Sequence, residues 1–389
     1  MSSIFGCDEE ITRRTFLKAT AILSFAALPG LSLAAPPPGD GRLLVILLRG
    51  GMDGLYAVPP IGDKNLPDHR RDLIEKGLLS LDGYFALNPA MPSLHKFYQD
   101  GQALILHGAS IPYTRRSHFE GQNMMEGGTD TPYESRTGWL GRALDAAGFP
   151  AVTMSLPIPL ILRGQGFTDS SFPSVLRRPD SALYQKLQPV WMADPSIGPV
   201  GRALLEELKN PVMSDMMYDD PGDPQVDQLA REAGKRMAAP DGPHIAVIDD
   251  VGYDTHSKEI NGASRKLGKI DDAIAAFARA VGPDVWKKSL VMTITEFGRT
   301  VAENGAWGTD HGYGTCVIAA GGLLKKSGVV ADWPGLKAKN LFEGRDLLAT
   351  VDARSLYGAA LTAVLGLDPD LVRSQVINAP RTDMFDAYL

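Results

Sequence analysis

Between residues 289 and 320 the chain reads SLVMTITEFGRTVAENGAWGTDHGYGTCVIAA. A carboxylate (Glu296), a guanidinium (Arg299) and an adjacent carboxylate–imidazole pair (Asp310-His311) fall within sixteen residues of it. Adjacent residues on a strand face opposite ways, so Asp310 and His311 serve one ion only if the loop is irregular, which Gly308, Gly312 and Gly314 permit. Upstream, Asp254 and His256 stand two apart in Tyr253-Asp254-Thr255-His256. In extended backbone such positions face the same way and can hold one ion together, although the same residues could cap a helix and leave His256 on the surface. Asp53 follows two glycines in Arg49-Gly50-Gly51-Met52-Asp53-Gly54, either as a ligand or as a simple Asp-Gly turn. Oxygen and nitrogen donors without cysteine suit one or two divalent ions. Zinc or manganese fits best, and calcium fits less well wherever imidazole takes part. The expected metal ligands are Asp53, Asp254, His256, Glu296, Asp310 and His311.

A nucleophile is offered by Arg115-Arg116-Ser117-His118-Phe119-Glu120. Ser117 followed by Glu120 has the spacing of a helix capping box. A serine at a helix start also meets free amides and a positive dipole, which favour an anion or an alkoxide. It attacks only if a metal or base activates it. Arg116 and Arg299 are the candidates to grip anionic oxygens bidentately. His107 and His118 are placed to support ligands from behind. His69 and His95 lie among polar residues and read as solvated.

These groups need elements to position them. Leu43–Leu48, Ala103–His107, Ala151–Ser155, His244–Ile248, Leu290–Ile294 and Thr315–Ala320 are short apolar runs, mostly without alternation. That is the pattern of parallel strands covered on both faces. Helical spacing appears in Val200–Leu208, Gln225–Met237, Ala263–Val281 and Arg354–Leu365. Strand and helix alternate, so the expected fold is a doubly wound, three-layer α/β/α sandwich with a mostly parallel sheet. Loops leaving the carboxyl ends of its strands should share one edge. Weak punctuation at Asp219–Pro224 reads as a surface loop, and Pro59–Asn88 and Pro157–Pro199 as pocket walls without a ligand signature.

The first residues read as an address. Thr12-Arg13-Arg14-Thr15-Phe16-Leu17-Lys18 has the twin-arginine form, an apolar stretch Ala19–Leu33 follows, and Ser32-Leu33-Ala34 fits a cleavage site. The stretch is short for a membrane span and is broken by Pro29-Gly30. The expected organisation is a signal peptide over 1–34, a linker over 35–42 and a single domain over 43–389. That places the protein in the periplasm or outside the cell, with the twin-arginine export machinery as partner and no stable membrane span after cleavage. A formal net charge of −7 excludes an electrostatic case for nucleic acid. Cys316, in an apolar strand, reads as a buried inert thiol.

RGGMDGL, RSHFEGQ with TGWLGR after it, YDTH, and TEFGRT followed by GTDHG resemble a bacterial family called domain of unknown function 1501. That family is similar to the alkaline phosphatase and sulfatase superfamily, whose members use an α/β sandwich and usually two divalent metals. The resemblance implies an alkaline-phosphatase-like domain with Asp53 as the first metal carboxylate, and puts Ser117 near the nucleophile. It implies Asp254 with His256 as middle ligands, Glu296 as a later acid and His311 as the last histidine. The superfamily usually has Asp-His where this chain has Glu296-Phe297, and Asp310-His311 could be the equivalent of that pair. Two functions follow. One is an exported metal-dependent hydrolase of phosphate or sulfate esters on a small molecule or polysaccharide. The other is a non-catalytic relative that binds a polysaccharide or an envelope partner.

Overall fold

The computed structural model of the chain describes residues 39–155, 157–166, 168–171, 189, 225–380 and 382–389. The expected leader, the Val200–Leu208 helix, the Asp219–Pro224 loop and most of the Pro157–Pro199 segment lie outside the described residues.

Strand β1 (Arg42–Arg49) shows how the layers arise: between its two terminal arginines its residues are apolar without alternation, and all but the last residue are buried. Successive side chains of a strand point to opposite faces. Leu43, Val45 and Leu47 therefore enter one core, and Leu44, Ile46 and Leu48 the other. The main sheet has nine strands among the described residues. After β1 come β2 (Ala103–Ser110), β3 (Ala151–Thr153), β4 (Thr168–Ser170), β5 (Ile245–Val251), β6 (Ser289–Ile294), β7 (Thr315–Ala320), β8 (Gly328–Val330) and β9 (Val351–Asp352). Their order is β8-β2-β7-β6-β1-β5-β3-β4, with β9 also beside β2.

A short helix α1 (Gly54–Ala57) follows β1. Helices α2 (Pro92–Gln99), α5 (Val226–Ala238) and α6 (Glu259–Trp286) pack on one face with Leu44, Ile46 and Leu48. Helices α3 (His118–Gly127), α4 (Trp139–Ala147) and α7 (Arg354–Leu365) pack on the other. The fold is the expected three-layer α/β/α sandwich. Helix α6 breaks at Gly282 (φ 75°) before Pro283, where the apolar spacing stops; proline removes a helical donor and crowds the preceding turn. Cys316 is buried and free, as its apolar strand implied. No described helix is long and apolar enough to cross a membrane.

One strand departs from the parallel expectation. β7 runs antiparallel to both of its neighbours, β2 and β6, while the other pairings in the main sheet are parallel. Apolar patterning reports double-sided burial, not direction, so the sequence could not show this. The reversal has a functional result. Strands β1, β2, β5 and β6 share a direction and end at one edge of the sheet, whereas β7 begins there. The loop entering β7 therefore meets the loops leaving the others. At β1 the approach is close enough to need glycine: a Cβ on Gly50 (φ +122°) would lie 2.4 Å from the Asp254 amide nitrogen, and one on Gly51 (φ +76°) 2.8 Å from the Phe297 ring.

Candidate metal centre

Three imidazoles converge at this edge. His118 opens helix α3 just after the N-cap Ser117. Asp254 and His256 come from the loop after β5, and His311 from the loop entering β7. The Nε2 atom of His311 lies 3.0 Å from that of His118 and 3.1 Å from that of His256. Asp254 Oδ1 is 3.0 Å from His311 Nε2 and 2.9 Å from His256 Nε2, and Asp254 Oδ2 is 3.5 Å from His118 Nε2. Ligand atoms of His118, Asp254 and His311 all lie within 4.8 Å of one another, and theirs is the one such group among the described residues.

What holds the rings decides what they present. His118 Nδ1 is 2.8 Å from Glu296 Oε1, His256 Nδ1 is 3.1 Å from Asp310 Oδ1, and His311 Nδ1 is 3.1 Å from the Arg116 carbonyl. Carboxylates and carbonyls only accept, so each Nδ1 donates in these contacts, and a neutral ring held this way presents its Nε2 as a lone pair. Lone pairs and a carboxylate that face each other at about 3 Å repel unless a metal cation or a proton lies among them. Imidazole with its far nitrogen pinned to a carboxylate or carbonyl is the usual support for a metal-bound histidine. Tetrahedral zinc with bonds near 2.0–2.1 Å would have ligand–ligand edges of roughly 3.3 Å, so the observed separations fit a small divalent ion.

The electrostatics follow the same contacts. Burial alone would raise Glu296, yet hydrogen bonds from His118, Gln122 and Gly50 hold its pKa below the ordinary value. Burial likewise works against Asp254, and the Arg299 and His311 hydrogen bonds outweigh it. The Glu296 contact raises His118. Burial lowers His311, which favours the neutral ring.

Several expected roles change place. Glu296 is fully buried and accepts from His118, Gln122 Nε2 (3.0 Å) and the Gly50 amide (2.9 Å), so it stands behind His118 and not among the converging atoms. His118, expected behind the ligands, is in front. Asp310 stands behind His256. Arg299, expected to grip substrate oxygens, is buried and its donors go within the chain, to Asp254 Oδ1 (2.7 Å), the Thr309 carbonyl and hydroxyl (2.5 and 3.1 Å) and the Gly50 carbonyl. Arg116 is likewise taken, by Asp346 (2.7 Å) and Glu343 (2.6 Å). Ser117 caps no backbone amide with its side chain, and Glu120 accepts from Tyr113 Oη, so the capping box does not form. Phe297 is buried with its ring centroid 4.9 Å from that of His118 and 5.1 Å from that of His311. It packs against the imidazoles where the superfamily pattern would put a histidine. His107, on β2, is buried against Val58 with its pKa lowered to about 4 by desolvation.

Asp53 faces a different partner. Arg70 meets it at 2.6 and 3.2 Å in a buried ion pair, and Asp53 also caps α1 by accepting from the Tyr56 amide. Beside this pair lies Glu259, the first residue of α6 and fully buried. Its Oε2 accepts from Thr309 Oγ1 at 2.7 Å, but its Oε1 has no partner among the described residues. Burial and the Asp53 charge push its pKa up to about 8. Asp53, Tyr253, Thr255 and Glu259 line a small cavity of about 10 Å³.

Residues 202–378 match the family model described as "Protein of unknown function (DUF1501)", the family that the motifs resembled. No curated protein matches the sequence. Among solved structures, the chain is similar to the zinc-bound C-terminal periplasmic domain of EptC from Escherichia coli, with 10% identity, 74% of this chain and 77% of that one covered, and a TM-score of 0.38. It is also similar to the lipoteichoic acid synthase LtaP from Listeria monocytogenes, with 9% identity, 67% and 57% covered and a TM-score of 0.36. A protein in the alkaline phosphatase superfamily from Vibrio parahaemolyticus gives 11% identity, 76% and 66% covered and a TM-score of 0.37. The chain thus spans 57% and 66% of the last two. These likenesses are distant, and the chemistry below rests on this chain's own side chains.

Proposed function

We propose that this chain is an exported metal-dependent hydrolase of phosphate or sulfate esters. The observation that carries this reading is the convergence of three Nε2 atoms and Asp254 with every Nδ1 pinned from behind. His118, His256, His311 and Asp254 hold one divalent ion, zinc or manganese by donor type. A bound ion supplies Lewis acidity toward an ester oxygen and lowers the pKa of a nearby hydroxyl. Glu296, Asp310 and the Arg116 carbonyl orient the three rings, and Arg299 orients Asp254. Asp53, paired with Arg70, is left out of the site.

Ser117 is the nucleophile in this reading. It precedes His118 directly, and its hydroxyl is not spent on capping the helix. Its Oγ forms an ester with phosphorus or sulfur while the alcohol leaves, and water then cleaves that serine ester. Export rests on the twin-arginine sequence Thr12–Lys18.

The test is metal content together with turnover. Purified protein should carry about one zinc or manganese ion per chain and hydrolyse 4-nitrophenyl phosphate or sulfate. Ser117→Ala should keep the ion and lose turnover, and turnover retained in that variant removes the covalent step. A second reading is favoured by the donor count. Four protein donors can fill a tetrahedral shell, as structural ions require, whereas catalytic ions keep a position open. Stoichiometric metal with no hydrolysis of either ester would select the non-catalytic binding protein.

A further inference from the structure

Two large aromatic side chains stand in water beside the ligands. Trp307 is 62% exposed and Phe119 82% exposed. Phe119 follows His118 in the first turn of α3. Trp307 sits in the loop that packs on His256, where a Cβ on the next residue, Gly308, would lie 2.5 Å from the His256 backbone. Exposed tryptophan is costly in water and normally tucks its ring away. Here the ring stands out on a backbone that is tied down. The Glu259 amide donates to the Trp307 carbonyl (2.9 Å), the Lys258 amide to that of Ala306 (3.0 Å) and Asn304 Nδ2 to that of His256 (2.9 Å). Asn304 Oδ1 accepts from the amides of Ala306 and Gly308. Within this framework Trp307 adopts φ 54°, a left-handed conformation disfavoured for any residue with a Cβ. A disfavoured backbone held by its surroundings at a site edge points to function.

We propose that Trp307 and Phe119 form an aromatic rim that takes a sugar ring of the substrate, so that the ester is carried on a carbohydrate. This deepens, and rests on, the ester-hydrolase reading. A pyranose has an apolar C–H face that stacks on an exposed ring, while its hydroxyl edges stay wet. A rigid aromatic in open solvent suits that ligand better than an acyl chain, which needs an enclosed apolar pocket. The rim sets KM and specificity and takes no part in bond breaking.

The experiment uses the full exported protein. Binding of a desulfated galactose tetrasaccharide is measured by calorimetry, and turnover is measured on the sulfated tetrasaccharide and on ethyl sulfate and ethyl phosphate. Trp307→Ala should weaken tetrasaccharide binding and raise KM for the sulfated sugar about tenfold, with kcat and ethyl ester turnover unchanged. Trp307→Phe should restore most of both, and Phe119→Ala should show a smaller loss of the same kind. Tetrasaccharide binding undiminished in Trp307→Ala overturns the rim, as does a wild type that binds no sugar. Ethyl ester hydrolysis alongside either result leaves the hydrolase standing without it. Trp307-dependent sugar binding with no hydrolysis of any ester keeps the rim and sinks the hydrolase.

Discussion

The same edge of the sheet holds two acid-rich regions that solve opposite problems. Around Asp254 the partners are Arg299 and three imidazoles whose Nε2 atoms face one another. Around Asp53 and Glu259 the partner is Arg70. A guanidinium is charged at every relevant pH, so the second region carries its own cation. In the first region Arg299 offsets Asp254 from one side only, and neutral imidazoles add lone pairs and no charge, so the converging donors call for a further cation among them. A carboxylate at a strand tip therefore says little by itself; what matters is whether the fold brings it an arginine alone or a set of histidines as well.

The sharpest break of this contrast is to remove the ring that touches all the others. His311→Ala should lose the bound ion, read as metal content falling from about one per chain to near zero, while the fold survives in circular dichroism. Metal retained at wild-type stoichiometry would show that His311 is not a ligand. On the other side, Arg70→Ala strands a buried carboxylate and should cost about 3–5 kcal/mol in denaturant unfolding with no change in metal content. Loss of the ion in that variant would mean that the two regions are one site.

Glu296→Gln keeps shape but removes the charge behind His118. Metal affinity should fall about 10–100-fold by chelator competition, the usual effect of losing such a support. An unchanged affinity would reduce Glu296 to a packing residue. The smallest effect concerns Glu259. Its folded pKa of about 8 lies above the ordinary value of 4.5. The folded chain therefore keeps a proton that the unfolded chain has lost, and stability falls as pH rises between those values. Asp53 and Arg70 are the charges that face it, and they remain in Glu259→Gln. The variant should lose this slope, so that its Tm gains a few degrees on the wild type between pH 5 and pH 8. Parallel curves over that range would show that Glu259 is not protonated in the fold.

Much of this was legible from residue types. Apolar runs without alternation marked the central strands, and the acids and histidines at their ends marked the edge. Asp254, His256 and His311 lie about 3 Å apart, and each carries a local signal in its motif. His118 and Glu296 were both in view, but in exchanged roles. Ser117-to-Glu120 spacing resembled a cap and drew attention from the histidine between them. Glu296, at a strand tip, sinks under helix α3 and supports a ring that comes down from above. Asp53 is separated by seventeen positions from Arg70, in a stretch with no pattern to link them.

Local sequence determined the inventory: which segments become buried strands, which loops carry donors, and that those donors are nitrogen and oxygen, because propensity, burial pattern and side-chain chemistry act within a few residues. Only the tertiary structure decided depth and partnership. The reversal of β7, the descent of α3 onto Glu296 and the reach of Arg70 to Asp53 bring together groups remote in the chain. Whether a carboxylate meets a guanidinium, an imidazole or an ion is settled by that encounter, since charge interactions act through space at a few ångströms.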